Sequence, residues 1–348
     1  MEVAFGTVKE QAMGFRQDLS EALRLIRAGR PGQAFQRLRH GSADGTALPA
    51  SIAAPIASPP PARGLFEARQ VSGAEGVMDY HLYRPAHGTT PMPLVVMLHG
   101  CTQDPEDFAR GTGMNQLADE LGFLVAYPRQ SQRANPQKCW NWFRPNDQQR
   151  NRGEPALLAA VTRAVMADEA ADRQRVYVAG LSAGGAAATI MAAQYPDLFA
   201  AVGVHSGLPC GAARDVQGAL AAMKHGAATL APVASAPVFV PLITFHGDQD
   251  ATVQEANSRQ IVAQAITAAI DPLQTSQEIG QSIGGRDYTR DLYANADGKL
   301  LIEQWTVADA GHAWAGGDLA GSYTDPAGPD ASREMLRFFL SHQLPAGG

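Results

Sequence analysis

The sequence predicts an α/β protein with a mostly parallel central sheet covered by helices on both faces, preceded by a short N-terminal helical segment. Three observations predict it. Short apolar runs of strand length alternate with longer helical runs, the pattern of parallel strands buried on both faces. One of those strands leads directly through a Gly-x-Ser-x-Gly pentapeptide into a helix. The 348 residues are 45% hydrophobic and 18% charged, enough apolar surface for a large core, which excludes a disordered chain.

The first segment, residues 1–40, reads as helical. Phe15, Leu19, Ala22, Leu23 and Ile26 recur at helical spacing, Gly29 to Gly32 interrupts, and Ala34, Phe35 and Leu38 form a shorter piece. Seven Lys/Arg against four acids give this segment a net charge of +3. A helical hairpin with a solvated basic face is the plain reading. The sharper reading is a docking element for a polymer granule, a membrane surface or a second copy of the chain in a homodimer. Residues 41–64 are rich in Ala, Ser and Pro, including Pro59 to Pro61, and read as a linker. Residues 65–348 form the expected main domain.

Within that domain the strands in order are Leu94 to Leu98, Phe123 to Tyr127, Arg175 to Ala179, Phe199 to Val204 and Val238 to Phe245. Helices are expected over Glu106 to Leu121, Pro155 to Ala171 and Ala183 to Gln194. The net charge of −6 offers no basic surplus for nucleic acid. No apolar run approaches the roughly 20 residues of a membrane-spanning helix. The first residues lack a basic region followed by an apolar one, so no Sec signal is read, and the protein is expected either to stay in the cytoplasm or to leave it by another route.

The pentapeptide is Gly180-Leu181-Ser182-Ala183-Gly184. Its strand–turn–helix setting is what a nucleophile elbow requires: the serine oxygen projects above the sheet, at a helix N-terminus that favours negative charge. A serine hydroxyl needs a base, and the base needs an acid to orient it. In this class the chain order is Ser, acid, His. A strand ending at Phe245 runs into His246-Gly247-Asp248-Gln249-Asp250, and a strand ending at Val307 leads to Gly311-His312. His312 is the expected base. Asp250 is the expected acid, ahead of Asp248 and the more awkwardly placed Asp309. His205 and His246 end strands on the same edge and read as structural, with His205 also a candidate for lining the site.

Acyl transfer builds negative charge on a carbonyl oxygen, which two backbone N–H groups should meet. Ala183 follows the nucleophile and supplies one. Cys101 follows the strand ending in His99-Gly100 and supplies the other. Cys101 is not read as a nucleophile, since Ser182 holds the elbow. The three cysteines permit one bridge, for which Cys101 and Cys139 are candidates because both flank the expected pocket, leaving Cys210 as a free thiol. Trp140, Trp142 and Trp314 fall in loops around that pocket and are read either as ordinary loop packing or as a hydrophobic wall that grips the substrate. Residues Asn146 to Arg150 fit no metal-ligand spacing, and no metal site or cofactor is expected.

Taken together and in order, LHGCTQ, CWNWF, GLSAGGA, GVHSGLPCGAA, HGDQD and GHAWAGG resemble the esterase family typified by poly(3-hydroxybutyrate) depolymerases, with feruloyl and acetylxylan esterases as relatives. The resemblance spans roughly residues 65 to 342 and implies an α/β-hydrolase fold and ester hydrolysis through a serine acyl-enzyme. It implies Ser182, Asp250 and His312 as triad, Cys101 and Ala183 as oxyanion donors, an ester or polyester substrate, and no cofactor. Family members are often extracellular and often carry a separate substrate-binding module, neither of which has a visible counterpart here. Competing readings are a serine peptidase, which lacks its N-terminal propeller-sized domain here, and a non-catalytic binding protein, which has no need of a complete triad.

Overall fold

The computed structural model describes residues 63–228 and 238–345. The expected helical segment 1–40, and the linker apart from its last two residues, lie outside the described residues. The main element is a ten-stranded sheet in the order β1-β2-β4-β3-β5-β6-β7-β10-β9-β8. Its middle is formed by β3 (Leu94–Leu98), β4 (Leu124–Pro128), β5 (Val176–Leu181), β6 (Ala201–His205), β7 (Leu242–Gly247) and β10 (Leu300–Val307). Every neighbouring pair among these six is parallel.

Antiparallel hairpins flank both sides. One is β1 (Leu65–Gly73) with β2 (Gly76–Arg84), the other β8 (Gln274–Gln281) with β9 (Asp287–Ala294). The apolar-run pattern did not reveal either hairpin. β8 has the sequence QTSQEIGQ and is almost wholly exposed, so no buried face imposes an apolar pattern on it. A two-stranded parallel ribbon, β11 (Trp314–Ala315) with β12 (Thr324–Asp325), stands apart from the sheet.

Alternate residues of the central strands point to opposite faces, and both faces are covered. On one face Val96, Val178 and Val204 pack with residues of α3 (Gly153–Asp168), α4 (Ala183–Gln194) and α6 (Ala256–Ala268), among them Leu158, Ala188 and Ile261. On the other, Val95, Tyr177 and Ile243 pack with α1 (Pro105–Thr112), α2 (Met114–Leu121) and α7 (Ala331–Leu340), through Phe108, Leu117 and Phe338. One further helix, α5 (Val216–His225), completes the described set. The single helix expected over Glu106 to Leu121 is two helices. Gly113 sits between them at φ 64 and closes α1 with a bond from its N–H to the Ala109 carbonyl.

The register places the site. Leu181 lies level with His205, His205 with Phe245, and Gly247 with Val307. The residues that follow β5, β6, β7 and β10 therefore emerge side by side along one carboxyl edge of the sheet, where open α/β sheets hold their ligands.

Candidate active site

Ser182 is the first residue beyond β5 and caps α4, with φ 58 and ψ −119. A side chain at that φ is strained, and the surrounding packing must hold it there. The Ser182 N–H donates to the His205 carbonyl at 2.9 Å, and its own carbonyl accepts from Ala186 N–H at 2.9 Å. Close approach of α4 to β3 completes the turn. A Cβ on Gly184 would lie 2.0 Å from the Leu98 carbonyl oxygen, so only glycine fits there. Ser182 is 9% exposed, set into the surface rather than standing on it.

Asp250 and His312 meet at the same edge. His312 Nδ1 lies 2.7 Å from Asp250 Oδ2, and with Nδ1–H donating there the neutral ring presents Nε2 as its proton acceptor. The other carboxylate oxygen, Oδ1, accepts from Thr252 N–H at 2.9 Å and Val253 N–H at 2.8 Å. Burial opposes the charge on Asp250, but the neighbouring His312 and these donors outweigh it and hold the carboxyl down to about 2. The alternative acids Asp248 and Asp309 are both exposed. The Asp250 loop is also joined to the segment leading to His312, since Gln249 N–H donates to the Ala310 carbonyl at 3.0 Å.

His205 and His246 sit behind these groups. The His205 carbonyl holds Ser182, and its ring Nε2 accepts from Ala315 N–H at 2.9 Å, so one residue ties the elbow to the His312 loop. Burial, reinforced by His246 and His312, pushes its ring down to about 3, keeping it neutral. His246 Nε2–H donates to the Val253 carbonyl at 2.7 Å and lies 3.5 Å from Asp250 Oδ2.

Cys101 lies beyond β3 and forms a disulfide with Cys139, with an S–S distance of 2.07 Å. Among the described residues, neither Cys101 N–H nor Ala183 N–H has a protein acceptor. Both are free to meet a ligand oxygen. Cys210 is a free buried thiol that burial pushes up to about 12.

For the tryptophans and His205, burial favours the packing and structural readings over a substrate-facing wall. Trp140 and Trp314 are 0% and 1% exposed, and His205 is 1% exposed. Trp140 Nε1–H donates to the His99 carbonyl at 3.0 Å, and Trp314 Nε1–H to Ser332 Oγ at 3.0 Å, with Trp314 stacked on the His205 ring. These side chains have no surface left for a substrate; they lock the loops that carry the site. Trp142 is also buried, edge-on to Phe143. Sequence reasoning missed Gln130, Gln137 and Glu154, which brace the Cys139 loop. The acid in the first turn of α3 was the available signal, but an exposed helix start predicts the same residue type.

Among the described residues, no group of three or more His, Cys, Asp or Glu could hold a metal ion, and no helix is long and apolar enough to cross a membrane.

A mostly parallel sheet flanked by helices, with a strained serine turn and a bonded Asp–His pair on one carboxyl edge, defines an α/β-hydrolase. The fold of acetyl xylan esterase from Aspergillus awamori matches over 79% of this chain and 99% of that one, with a TM-score of 0.61 at 18% identity. The family model described as esterase PHB depolymerase matches residues 78–275, and the chain belongs to that family. It is 31% identical to poly(3-hydroxyalkanoate) depolymerase C of Paucimonas lemoignei, over 75% of this chain and 65% of the relative. Identity with poly(3-hydroxybutyrate) depolymerase of Ralstonia pickettii is 27%, over 82% of this chain and 62% of the relative. The chain thus spans just under two thirds of the length of these curated relatives. Feruloyl esterase B of Thermothelomyces thermophilus is 31% identical over 40% of this chain and 47% of the relative.

Proposed function

We propose that this chain is a serine carboxylic-ester hydrolase acting on a poly(3-hydroxyalkanoate), with Ser182 as nucleophile, His312 as base and Asp250 as the orienting acid. The observation that carries the reading is the 2.7 Å bond from His312 Nδ1 to buried Asp250, on the same sheet edge as the Ser182 elbow. The depolymerase names of the two long matches support the polyester.

In this mechanism His312 Nε2 takes the Ser182 Oγ proton as Oγ attacks the ester carbonyl carbon. Charge collects on the carbonyl oxygen, where the Cys101 and Ala183 N–H groups donate to it. The C–O bond to the alcohol breaks as His312 returns the proton to the departing oxygen. Asp250 stays ionised throughout and stabilises the imidazolium. Water then loses a proton to His312 and attacks the acyl-enzyme, and Ser182 leaves with that proton.

The test is clearing of an amorphous poly(3-hydroxybutyrate) suspension by wild type and Ser182→Ala, with p-nitrophenyl butyrate hydrolysis alongside. Clearing by wild type alone is expected. Ester cleavage by wild type with an unchanged suspension would overturn the polyester and leave the chemistry. In that event feruloyl or acetylxylan esters come next, a reading supported by the partial match to feruloyl esterase B. A fluorophosphonate label on Ser182 separates every enzyme reading from a binding protein. As part of this proposal, the net +3 of residues 1–40 supports granule docking. Arg24→Glu with Arg27→Glu should slow clearing and spare the small ester.

A further inference from the structure

The segment before α3 grips the Cys101 turn at three points. Trp140 Nε1–H donates to the His99 carbonyl at 3.0 Å, Gln137 carbonyl accepts from Thr102 N–H at 2.6 Å, and Cys139 is bonded to Cys101 itself. Residues 137–140 are therefore one anchor of the Cys101 N–H, beside Gln103, whose Oε1 accepts from Gly100 N–H at 2.9 Å. What holds residues 137–140 is a buried carboxylate. Glu154 Oε2 accepts from Asn141 N–H at 2.7 Å. Its Oε1 accepts from Asn141 Nδ2 at 2.5 Å and from Gln130 Nε2 at 2.5 Å. Gln130 Nε2 also donates to the Cys139 carbonyl at 3.1 Å, two residues from Asn141 and on the bridged cysteine.

The amide orientations are fixed independently. Asn135 Nδ2 donates to Asn141 Oδ1 at 3.1 Å, and Ser131 N–H to Gln130 Oε1 at 3.0 Å. The groups aimed at Glu154 are therefore all donors, and they need an acceptor with two equivalent oxygens. A carboxylate in such a position is costly to bury, more so beside Asp147, whose Oδ1 accepts from Glu154 N–H at 2.9 Å. Burial and Asp147 push Glu154 up to about 7 against those donors. A core that needed only packing would be served by an apolar side chain here.

We propose that Glu154 is a positioning residue for the oxyanion-binding Cys101 amide, acting through Asn141, Gln130 and the Cys101–Cys139 disulfide. The inference rests on the ester-hydrolase reading of the site. Glu154→Gln keeps the shape but turns one acceptor into a donor facing other donors. A small displacement of an oxyanion donor is felt in turnover rather than in ground-state binding.

The experiment is a cycle on full-length protein with p-nitrophenyl butyrate, in the wild-type background and in Cys101→Ser/Cys139→Ser, which keeps the residue-101 N–H but removes the bridge. Glu154→Gln is expected to lower kcat about tenfold with KM within about twofold. In the disulfide-free background the same substitution is expected to cost at least about threefold less, because its one covalent link to residue 101 is gone and only the Trp140 and Gln137 hydrogen bonds remain. Equal losses in both backgrounds, or a raised KM with unchanged kcat, would overturn the proposal. Circular dichroism reports whether each variant folds. If Glu154→Gln does not, Gln130→Ala goes through the same cycle with the same deciding outcomes, since it removes the link to Cys139 and retains the carboxylate. An inactive wild type, or full turnover in Ser182→Ala, would instead sink the ester-hydrolase reading itself.

Discussion

The two walls of the site are built by different means. The Ser182 wall is a backbone construction: a strand, a tight turn and a helix pressed against β3, with Gly184 where no Cβ fits. The Cys101 wall is a side-chain construction, held by a disulfide, an indole N–H, two amides and a buried carboxylate drawn from residues 130–154. A local motif is sufficient to place a nucleophile. Of the two proposed oxyanion donors, Ala183 comes with that motif, whereas Cys101 depends on bridges between distant segments.

Four experiments break or sharpen this contrast. Ser182→Ala is expected to remove turnover by about 10⁴- to 10⁶-fold with an unchanged circular dichroism spectrum, since the wall survives its own hydroxyl. Kinetics on p-nitrophenyl butyrate checks this. Gly184→Ala attacks the wall rather than the hydroxyl. It forces a methyl against the Leu98 and His99 carbonyls and should cost about 3 kcal/mol in urea unfolding.

Asp250 belongs to both styles, held by local amides and by the distant His312. Its folded value of about 2 lies below the ordinary carboxylate value of 3.8. Its charge therefore stabilises the folded state above pH 4, and that contribution is lost as pH falls through 2. It amounts to about 2 kcal/mol. The stability gap between wild type and Asp250→Asn should be full at pH 5 and close between pH 4 and pH 2, read from thermal midpoints across that range. The smallest effect is on the bridged wall. Reducing the Cys101–Cys139 bond should lower kcat about tenfold, because Trp140 and Gln137 still hold the turn. A loss as large as that of Ser182→Ala would show the two walls to be equally fragile.

The same contrast decides what could be read in advance. The six parallel strands were legible, all but β10 as members of an alternating series, because burial on both faces makes them continuously apolar. Ser182 was legible because its constraint lies within five residues. Asp250 and His312 followed from chain order and strand ends, and the bonded pair lies where that order puts it. The outer hairpins were not legible, since exposed strands such as β8 carry no apolar signature. The roles of Trp140 and Trp314 stayed open between wall and packing because a large aromatic beside a site looks alike in sequence whether it faces the substrate or locks the loop behind it. Glu154 was invisible for the converse reason: an acid at a helix start is ordinary, and only the fold reveals that this one is buried among donors.

The φ of 58 at Ser182 has one more consequence. Glycine enters that region freely, whereas a residue with a side chain gives up about 1–3 kcal/mol to stay there. Ser182→Gly should therefore melt at a higher temperature than wild type while turning over nothing, even after the looser unfolded chain takes back part of the gain. Heat resistance and reactivity pull in opposite directions at this one position. A thermostability screen run without an activity screen would erase the proposed nucleophile and count it as an improvement.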